Sequence, residues 1–308
     1  MSDCTRHQIA ISVIIPTTCE EHRWDSLLRA IASASVQEHV NVGIIVVVNG
    51  NRFAPVRLQH LRAMPGLEVL YQAQGSAPLA QRFGRQAVAT EFFCFLDDDD
   101  EYLPGGLWHR AQPMLANAAL GFTASNGYRS DNGAQRLAVQ YGSAVAADPL
   151  LALCDENWMS SCGGLFRTAL VSTTYFDNPA PFFEWTYLAY KLARDLPMAW
   201  VDVPTFRIHD TQGSLSKSAS FRASEIEVLD RILALGLPEK VAHVLRQKIG
   251  RTHHGLSSDN IGLGRARLAW GHHLTSLRHP GGWRYLLFTR KLLGMAFGRL
   301  RSGPDSWA

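Results

Sequence analysis

The chain has 308 residues, of which 46% are hydrophobic and 19% are charged. This balance excludes a disordered chain and is typical of a globular protein with a sizeable core. The formal net charge of +3 is too small to indicate nucleic acid as a partner. Five scattered cysteines without a Cys-x-x-Cys pair indicate neither a zinc site nor a disulfide framework.

The N-terminal residues lack the pattern of a signal peptide, and the sequence has no apolar run of about 18 residues. Reduced thiols without a disulfide framework are typical of a reducing compartment. We therefore expect a cytoplasmic protein that does not span a membrane.

The N-terminal third of the chain alternates between apolar runs and helical patterns. Apolar runs predict strands at 9–15, 42–48, 67–71 and 92–96, and helical spacing predicts helices at 24–36 and 79–89. This order predicts a doubly wound α/β sheet, in which ligands bind beyond the carboxyl ends of the strands. Loops at 16–20, 49–51 and 97–101 follow three of those ends, so we expect one site where they meet.

An unbroken acidic run, Asp97-Asp98-Asp99-Asp100-Glu101, follows the fully apolar strand at 92–96. Adjacent carboxylates repel one another, and a divalent cation relieves this repulsion because Mg²⁺ and Mn²⁺ prefer oxygen ligands and also bind phosphates. Alternate side chains of an extended chain share a face, so Asp97 and Asp99 can face one metal or ligand. The alternative is a solvated acidic turn that only caps the strand.

The remaining sequence predicts further α/β structure and then helices alone. Helices are predicted at 107–119, from 149, and from 182 to 194, hairpins are predicted at the sheet edge around 126–127 and 131–133, and one strand is predicted at 200–208. Helical segments follow at 221–235, 238–251, 263–277 and 282–299. We therefore divide the chain into an α/β domain, 1–217, and a helical region, 218–308.

Several segments, in this order, resemble the motifs of the family-2 glycosyltransferases, which are inverting enzymes of the GT-A type. The matching motifs are Ala30-Ile31-Ala32-Ser33-x-x-x-Gln37, Ile45-Val46-Val47-Val48-Asn49-Gly50 and Phe95-Leu96-Asp97-Asp98-Asp99-Asp100. The likeness continues through 161–167, 175–177, Glu184, 206–209, Ser214 and Ser216. The resemblance covers about residues 9–217. It implies a GT-A-type, Rossmann-like mixed sheet flanked by helices, with a helical C-terminal appendage.

The resemblance also implies a nucleoside-diphosphate-sugar donor, a divalent Mn²⁺ or Mg²⁺ and inversion at the anomeric carbon. Asp99 matches the metal ligand of the Asp-x-Asp motif, and His209 is a second candidate ligand. Glu184 is the candidate base that takes the proton of the acceptor hydroxyl. The candidate donor-binding residues are Pro16, Thr17, Thr18, Glu20, Asn49, Arg82, Asp97 and Asp98.

Two positions depart from the family pattern. The family usually has an acid that holds the nucleoside where Val48 stands, and its Glu-Asp pair at the acceptor site appears here as Glu184-Trp185. Glu184 is therefore the remaining carboxylate of that motif, although a carboxylate at a helix N-terminus also serves as a cap or dipole partner. A lone histidine such as His209 is equally a structural hydrogen-bond donor.

The predicted function is metal-dependent transfer of a sugar to an acceptor hydroxyl of a sugar, a lipid-linked glycan or a small molecule, in glycan, glycolipid or natural-product glycoside synthesis. One alternative is a catalytically silent nucleotide-sugar-binding or scaffold protein of the same fold, which the departures at Val48 and Trp185 keep open. Another is a sugar nucleotidyltransferase, but Pro16-Thr17-Thr18-Cys19 replaces the Gly-rich phosphate loop of that class.

The C-terminal tail is basic, with six Lys/Arg and no acid from 278 to 301. A broad apolar face bordered by basic residues, with Trp283 at its start, indicates peripheral membrane contact through 282–301, at the inner face of the membrane. That contact would suit a lipid-linked acceptor. The alternative is an ordinary helix packed on the α/β domain.

Overall fold

The computed structural model describes residues 9–131, 134–209 and 220–301. The chain forms two compact units, Met1–Ser214 and Leu215–Ala308. The predicted domain boundary at 217, together with Ser214 and Ser216, lies outside the described residues. In the parts of the chain that are described, no helix has the length and hydropathy needed to cross a membrane.

The first unit alternates strands and helices along the chain. Its strands are β1 Ile9–Thr17, β2 Val40–Asn49, β3 Leu67–Gln72, β4 Phe92–Phe95, β5 Glu101–Tyr102, β6 Phe122–Ser125, β7 Tyr128–Asp131, β8 Ala134–Leu137, β9 Gly164–Arg167, β10 Met198–Val201 and β11 Phe206–Ile208. Its helices are α1 Trp24–Ser35, α2 Pro55–Ala63, α3 Ala77–Ala87, α4 Gly106–Ala116, α5 Gly142–Ala147, α6 Pro149–Asp155 and α7 Glu184–Asp195. The second unit contains α8 Ser220–Leu233, α9 Glu239–Gly262, α10 Ala266–Arg278 and α11 Phe288–Arg301.

The main sheet has the order β10-β6-β9-β4-β1-β2-β3. Its neighbours are parallel except at β9, which runs antiparallel to both β4 and β6. All four residues of β4 are buried, as are residues 11–17 of β1, because helices cover the central strands. The structure confirms the predicted mixed α/β sheet flanked by helices.

A second, four-stranded sheet has the order β5-β11-β7-β8. The sequence predicted that the β7–β8 hairpin extends the edge of the main sheet. That prediction is wrong, because β7 and β8 belong to the second sheet. The predicted single strand at 200–208 is also wrong, because β10 pairs with β6 in one sheet and β11 pairs with β7 in the other. The chain changes sheets at 202–205, where Pro204 has no N–H to offer a ladder.

The sequence patterns also missed α2. The strands β2 and β3 are parallel neighbours, so a crossover must join them, and α2 supplies it. Leu61 is the one residue of this helix that is buried, and the rest of its surface is partly or fully exposed. A helix with such a narrow apolar stripe leaves no helical period in the sequence.

Helix α3 packs closely against the central strands. The Ser76 side chain caps its first turn by accepting a hydrogen bond from the Leu79 N–H at 3.5 Å. Gly84 lies where α3 crosses the sheet, and a Cβ atom there would collide with Cγ2 of Ile14 and lie 3.0 Å from Cγ2 of Val47. The position therefore requires glycine for close packing.

We predict that Gly84→Ala lowers the free energy of unfolding by about 1–3 kcal/mol, because the added methyl group overpacks the contact with β1 and β2. Gly43→Ala is the matched control, since a Cβ there would meet no atom within 4 Å. Chemical denaturation of both variants measures the difference. Equal stability of the two variants would show that α3 can shift away from the sheet without cost.

Candidate active site

Three loops at the carboxyl ends of parallel strands meet at one edge of the main sheet. Strand β1 lies between β2 and β4, so the residues that follow these strands are neighbours. The Thr17 hydroxyl donates to Oδ2 of Asp98 at 2.5 Å, and Nδ2 of Asn49 donates to the Thr17 carbonyl at 2.9 Å. Thr17 thus ties together the ends of all three strands.

Asp98 is buried and forms an ion pair with Arg23, which precedes α1. Nε and one terminal nitrogen of the Arg23 guanidinium lie 2.9 and 2.6 Å from Oδ1 of Asp98. The same terminal nitrogen lies 3.0 Å from Oδ2 of Asp99. Burial raises the pKa of Asp98, while Arg23 and Thr17 act in the opposite direction. Asp98, expected to bind donor, is thus held by the protein itself.

Asp97 and Asp100 are crowded by the other carboxylates. The Ser161 hydroxyl donates to Oδ2 of Asp97. Burial, together with the charges of Asp99 and Asp98, raises the pKa of Asp97 to about 6, although the hydrogen bond from Ser161 and the charge of Arg23 act in the opposite direction. Burial, together with Asp97 and Asp99, also raises the pKa of Asp100 well above its usual value. The cluster therefore holds more negative charge than its protein partners neutralise.

His209, which follows β11, forms hydrogen bonds with both Asp100 and Glu101. The His209 N–H donates to Oδ1 of Asp100 at 3.1 Å, and its Nε2 lies 2.6 Å from Oε1 of Glu101. Nε of Arg29 lies 3.1 Å from the same Glu101 oxygen. The backbone and the ring of His209 thus contact the last two acids of the run, which keeps the ring beside the acidic cluster.

The donor set of the acidic cluster suits a hard divalent cation. Among the residues described, no group of three or more His, Cys, Asp or Glu side chains is arranged to hold a metal. Asp97 and Asp99 supply two carboxylates, and Mg²⁺ is usually bound through one or two carboxylates together with substrate phosphates. The raised pKa of Asp97 shows that this point favours additional positive charge. Asp97 and Asp99 therefore fit the implied metal.

The other expected donor-binding residues lie around the same edge, and several have protein partners. Pro16 is buried within β1, and Thr18 donates to Oε2 of Glu20 at 2.9 Å. Oδ1 of Asn49 accepts a hydrogen bond from the Ser76 N–H at 3.0 Å, so its amide joins two loops. Nε of Arg82 lies 2.7 Å from Oδ1 of Asp177, with both side chains partly exposed.

Glu184 is the first residue of α7, which begins next to the end of β4. The ring of Trp185 contacts the ring of Phe95 edge-on, with centroids 5.4 Å apart. Phe95 ends β4, two residues before Asp97. Oε1 of Glu184 accepts a weak hydrogen bond from the Phe182 N–H at 3.3 Å. The ring contact of Trp185 thus places the start of α7 near the last residue of β4.

Glu184 and Trp185 line a small pocket together with Gln81 and Phe176. An adjoining open pocket of about 360 Å³ shares Phe176 with it and extends to Arg82. A third pocket continues from Arg82 to Tyr71. The three pockets form a groove along α3, which we call the α3 groove, and Glu184 lies at one end of it.

Comparison with protein families finds a match to part of the chain. The sequence model of glycosyl transferase family 2 matches residues 12–159, which include most of β1, all of β4 and the acidic run. A search of curated proteins finds no significant match.

Solved structures show the fold. S. aureus TarS 1-349 in complex with UDP-GlcNAc matches with a TM-score of 0.62 at 15% identity, over 87% of this chain and 82% of that chain. The same TarS fragment in complex with UDP matches with a TM-score of 0.54 at 16% identity, over 82% and 74% of the two chains. Residues 12–159 thus match the family-2 glycosyltransferase model, and the solved structures show a fold of the GT-A type.

Proposed function

We propose that the chain transfers a sugar from a nucleoside-diphosphate sugar to an acceptor hydroxyl with the help of Mn²⁺ or Mg²⁺ at Asp97 and Asp99. The observation that carries this proposal is the crowded acidic run at the carboxyl end of β4, within the segment that matches the family. TarS was solved with UDP-GlcNAc and with UDP, which supports a UDP-sugar as the donor.

The acidic run and its protein partners suit the departure of a nucleoside diphosphate. The bound metal would stabilise the negative charge that develops on the leaving diphosphate. Ser161 fixes one oxygen of Asp97, and Arg23 lies against Asp99 while it neutralises Asp98. These contacts limit the rotation of both carboxylates, so that little reorganisation is needed when a donor binds.

Glu184 is our candidate for the base that inversion requires. Direct displacement at the anomeric carbon needs a group that takes the proton of the attacking hydroxyl. Glu184 is partly exposed and lines the pocket at the end of the α3 groove. Its carboxylate is on α7, whereas Asp97 and Asp99 follow β4, so acceptor and donor would be held by different elements.

The α3 groove is our candidate for the acceptor site. Its lining combines aromatic rings such as Tyr175 and Phe176 with polar groups such as Gln81 and Arg82. Apolar faces with a few placed polar groups are typical of sites that bind small organic molecules. We therefore propose a hydroxyl-bearing acceptor, such as a sugar, a lipid-linked glycan or a small molecule. We also propose that the reaction takes place in the cytoplasm.

We predict that Asp99→Asn weakens Mn²⁺-dependent UDP binding more than about tenfold, because even groups that only orient a metal ligand have effects of that size. Asp155→Asn, at an exposed position of α6, is the matched control. Isothermal titration with UDP, with and without Mn²⁺, measures the change. If the Asp99 variant binds UDP and Mn²⁺ as tightly as the control does, the metal assignment is wrong.

We predict that Asp97→Asn makes the metal-free protein more stable at pH 7.5. The folded-state pKa of about 6 is above the usual value of Asp, so the ionised form destabilises the fold above pH 6. The variant should gain about 1–3 kcal/mol at pH 7.5, and the gain should disappear at about pH 3, where Asp97 is protonated in both the folded and the unfolded state. Denaturation at the two pH values measures this, and a variant that is less stable at pH 7.5 would contradict the assigned pKa shift.

We predict that Glu184→Gln lowers kcat by about 10²–10⁴-fold, the usual contribution of a general base. This corresponds to about 3–5 kcal/mol of activation free energy. UDP binding should persist, because Asp97 and Asp99 lie on another element. Transfer assays with UDP-sugars and glycan acceptors give kcat, and titration gives donor affinity. Glu68→Gln, at an exposed position of β3, is the control. Near-native kcat would place the base elsewhere, and lost donor affinity would place Glu184 in the donor site.

A further inference from the structure

The chain makes a tight turn between α10 and α11, which lies in the second unit. Gly281 has φ +79°, and the Gly282 N–H donates to the His279 carbonyl at 2.9 Å. A Cβ atom on Gly282 would lie 2.5 Å from the Ser276 carbonyl oxygen and 2.7 Å from that of Leu277. The turn is therefore fixed directly on the end of α10 and cannot be lifted from it by a small rearrangement.

The aromatic residues of this turn divide into an inward and an outward set. Tyr285 stacks on His254 with ring centroids 4.1 Å apart, and Phe288 packs edge-on against the same histidine at 4.7 Å. In contrast, Trp283, Leu286 and Leu287 are 70%, 56% and 74% exposed. Because Tyr285 and Phe288 already fill the inner side, the three outward side chains have no place in this core.

Basic residues surround the outward side chains. No acid occurs between Asp259 and Asp305, whereas the same stretch contains eight Lys/Arg. The Arg284 guanidinium lies 5.6 Å from the ring centre of Trp283, and Nζ of Lys291 lies 5.6 Å from that of Phe288. Arg290 and Lys291 are both exposed. The apolar surface is thus bordered by positive charge and by no negative charge from its own stretch of sequence.

We propose that this basic apolar turn, formed by Trp283, Leu286 and Leu287 with Arg284, Arg290 and Lys291, binds the surface of an anionic lipid bilayer. Exposed Trp and Leu side chains enter the boundary between head groups and acyl chains, while Arg and Lys bind anionic head groups. The part of the expected membrane-facing helix beyond 294 lies outside the described side chains. The proposal does not depend on the transfer reaction.

A second copy of the chain fits this surface less well. A twofold interface brings the same patch of both copies together, so the basic residues of one turn would face those of the other. Like charges that are brought together across an interface oppose association. An anionic bilayer instead offers negative charge and an apolar interior at once, which matches both parts of the turn.

The test uses the full chain and vesicles of phosphatidylcholine with phosphatidylglycerol, compared with vesicles of phosphatidylcholine alone. We expect co-sedimentation with the anionic vesicles, weak binding to the neutral ones, and loss of binding as salt shortens the Debye length from about 10 Å at 0.1 M to about 3 Å at 1 M. Arg290→Gln and Lys291→Gln should each lower the partition coefficient about fivefold. Arg251→Gln on α9 is the matched charge control, since Arg251 is equally exposed.

Trp283→Ser and Leu287→Ser should each lower the partition coefficient about 3- to 10-fold, since each removes part of the apolar surface that the bilayer would bury. Val56→Ser is the matched control, because Val56 is 65% exposed in the first unit. UDP binding should be unchanged in all these variants, which separates this proposal from the proposed transfer activity. Circular dichroism verifies that each variant is folded.

Three results would overturn the proposal. One is a chain that does not bind anionic vesicles at low salt, and another is equal binding by the turn variants and their controls. The third is a lipid-free dimer, seen by analytical ultracentrifugation, that dissociates on Leu287→Ser, because the turn would then bind a second copy. None of these outcomes depends on transfer activity.

Discussion

The ion pair between Arg23 and Asp98 holds the active-site edge of the sheet together. Asp98 is 4% exposed, and its carboxylate also accepts the Thr17 hydroxyl. An unpaired carboxylate in such surroundings would be strongly unfavourable, and removing one partner of a buried pair typically costs about 3–5 kcal/mol. The pair also joins the start of α1 to the end of β4, which are 75 positions apart in sequence. The position of Asp97 and Asp99 therefore depends on a residue outside the acidic run.

The sequence predicted the central sheet because its strands are buried on both faces. Strands such as β1 and β4 appear as continuous apolar runs, and the loops after them collect polar residues. Helix α2 was missed because it buries little besides Leu61, and the strand at 200–208 was wrongly joined because β10 and β11 satisfy their ladders in two different sheets. Local patterns record burial and period, but not which strand is the partner.

The candidate site was predicted in its location and only partly in its contacts. Residues at strand ends, such as Thr17 and Asn49, were expected to face the donor, yet they hold neighbouring loops together. Arg23 and Ser161 were not in the candidate set, because a single Arg or Ser has no distinctive spacing and their partners are distant in sequence. The place of Arg23 in the loop after β1 is a useful signal. Strand β4 is the neighbour of β1 in the sheet, and the acidic run that follows β4 needs a positive charge.

Val48 shows how the protein differs from the usual family pattern. Its side chain is fully buried in the hydrophobic core, so a carboxylate at this position would be surrounded by apolar residues. Trp185 similarly replaces an acid by a ring that packs on Phe95. Both positions therefore carry an apolar side chain that packs on neighbouring residues. Within the acidic run, burial opposes the ionisation of Asp97 and Asp100.

This concentration of charge links folding to donor binding. Ionisation of a buried carboxylate costs free energy in the metal-free protein, and a bound cation reduces that cost. Ligands that bring positive charge should therefore stabilise the fold by more than their direct contacts contribute. A chain optimised for stability alone would replace Asp97 or pair it with a base, as it pairs Asp98 with Arg23. Two adjacent aspartates thus differ in their surroundings, because Asp98 pairs with Arg23 whereas Asp97 accepts the Ser161 hydroxyl and has a raised pKa. That difference, rather than the spacing of the two residues, is the reason we propose Asp97 as a metal ligand.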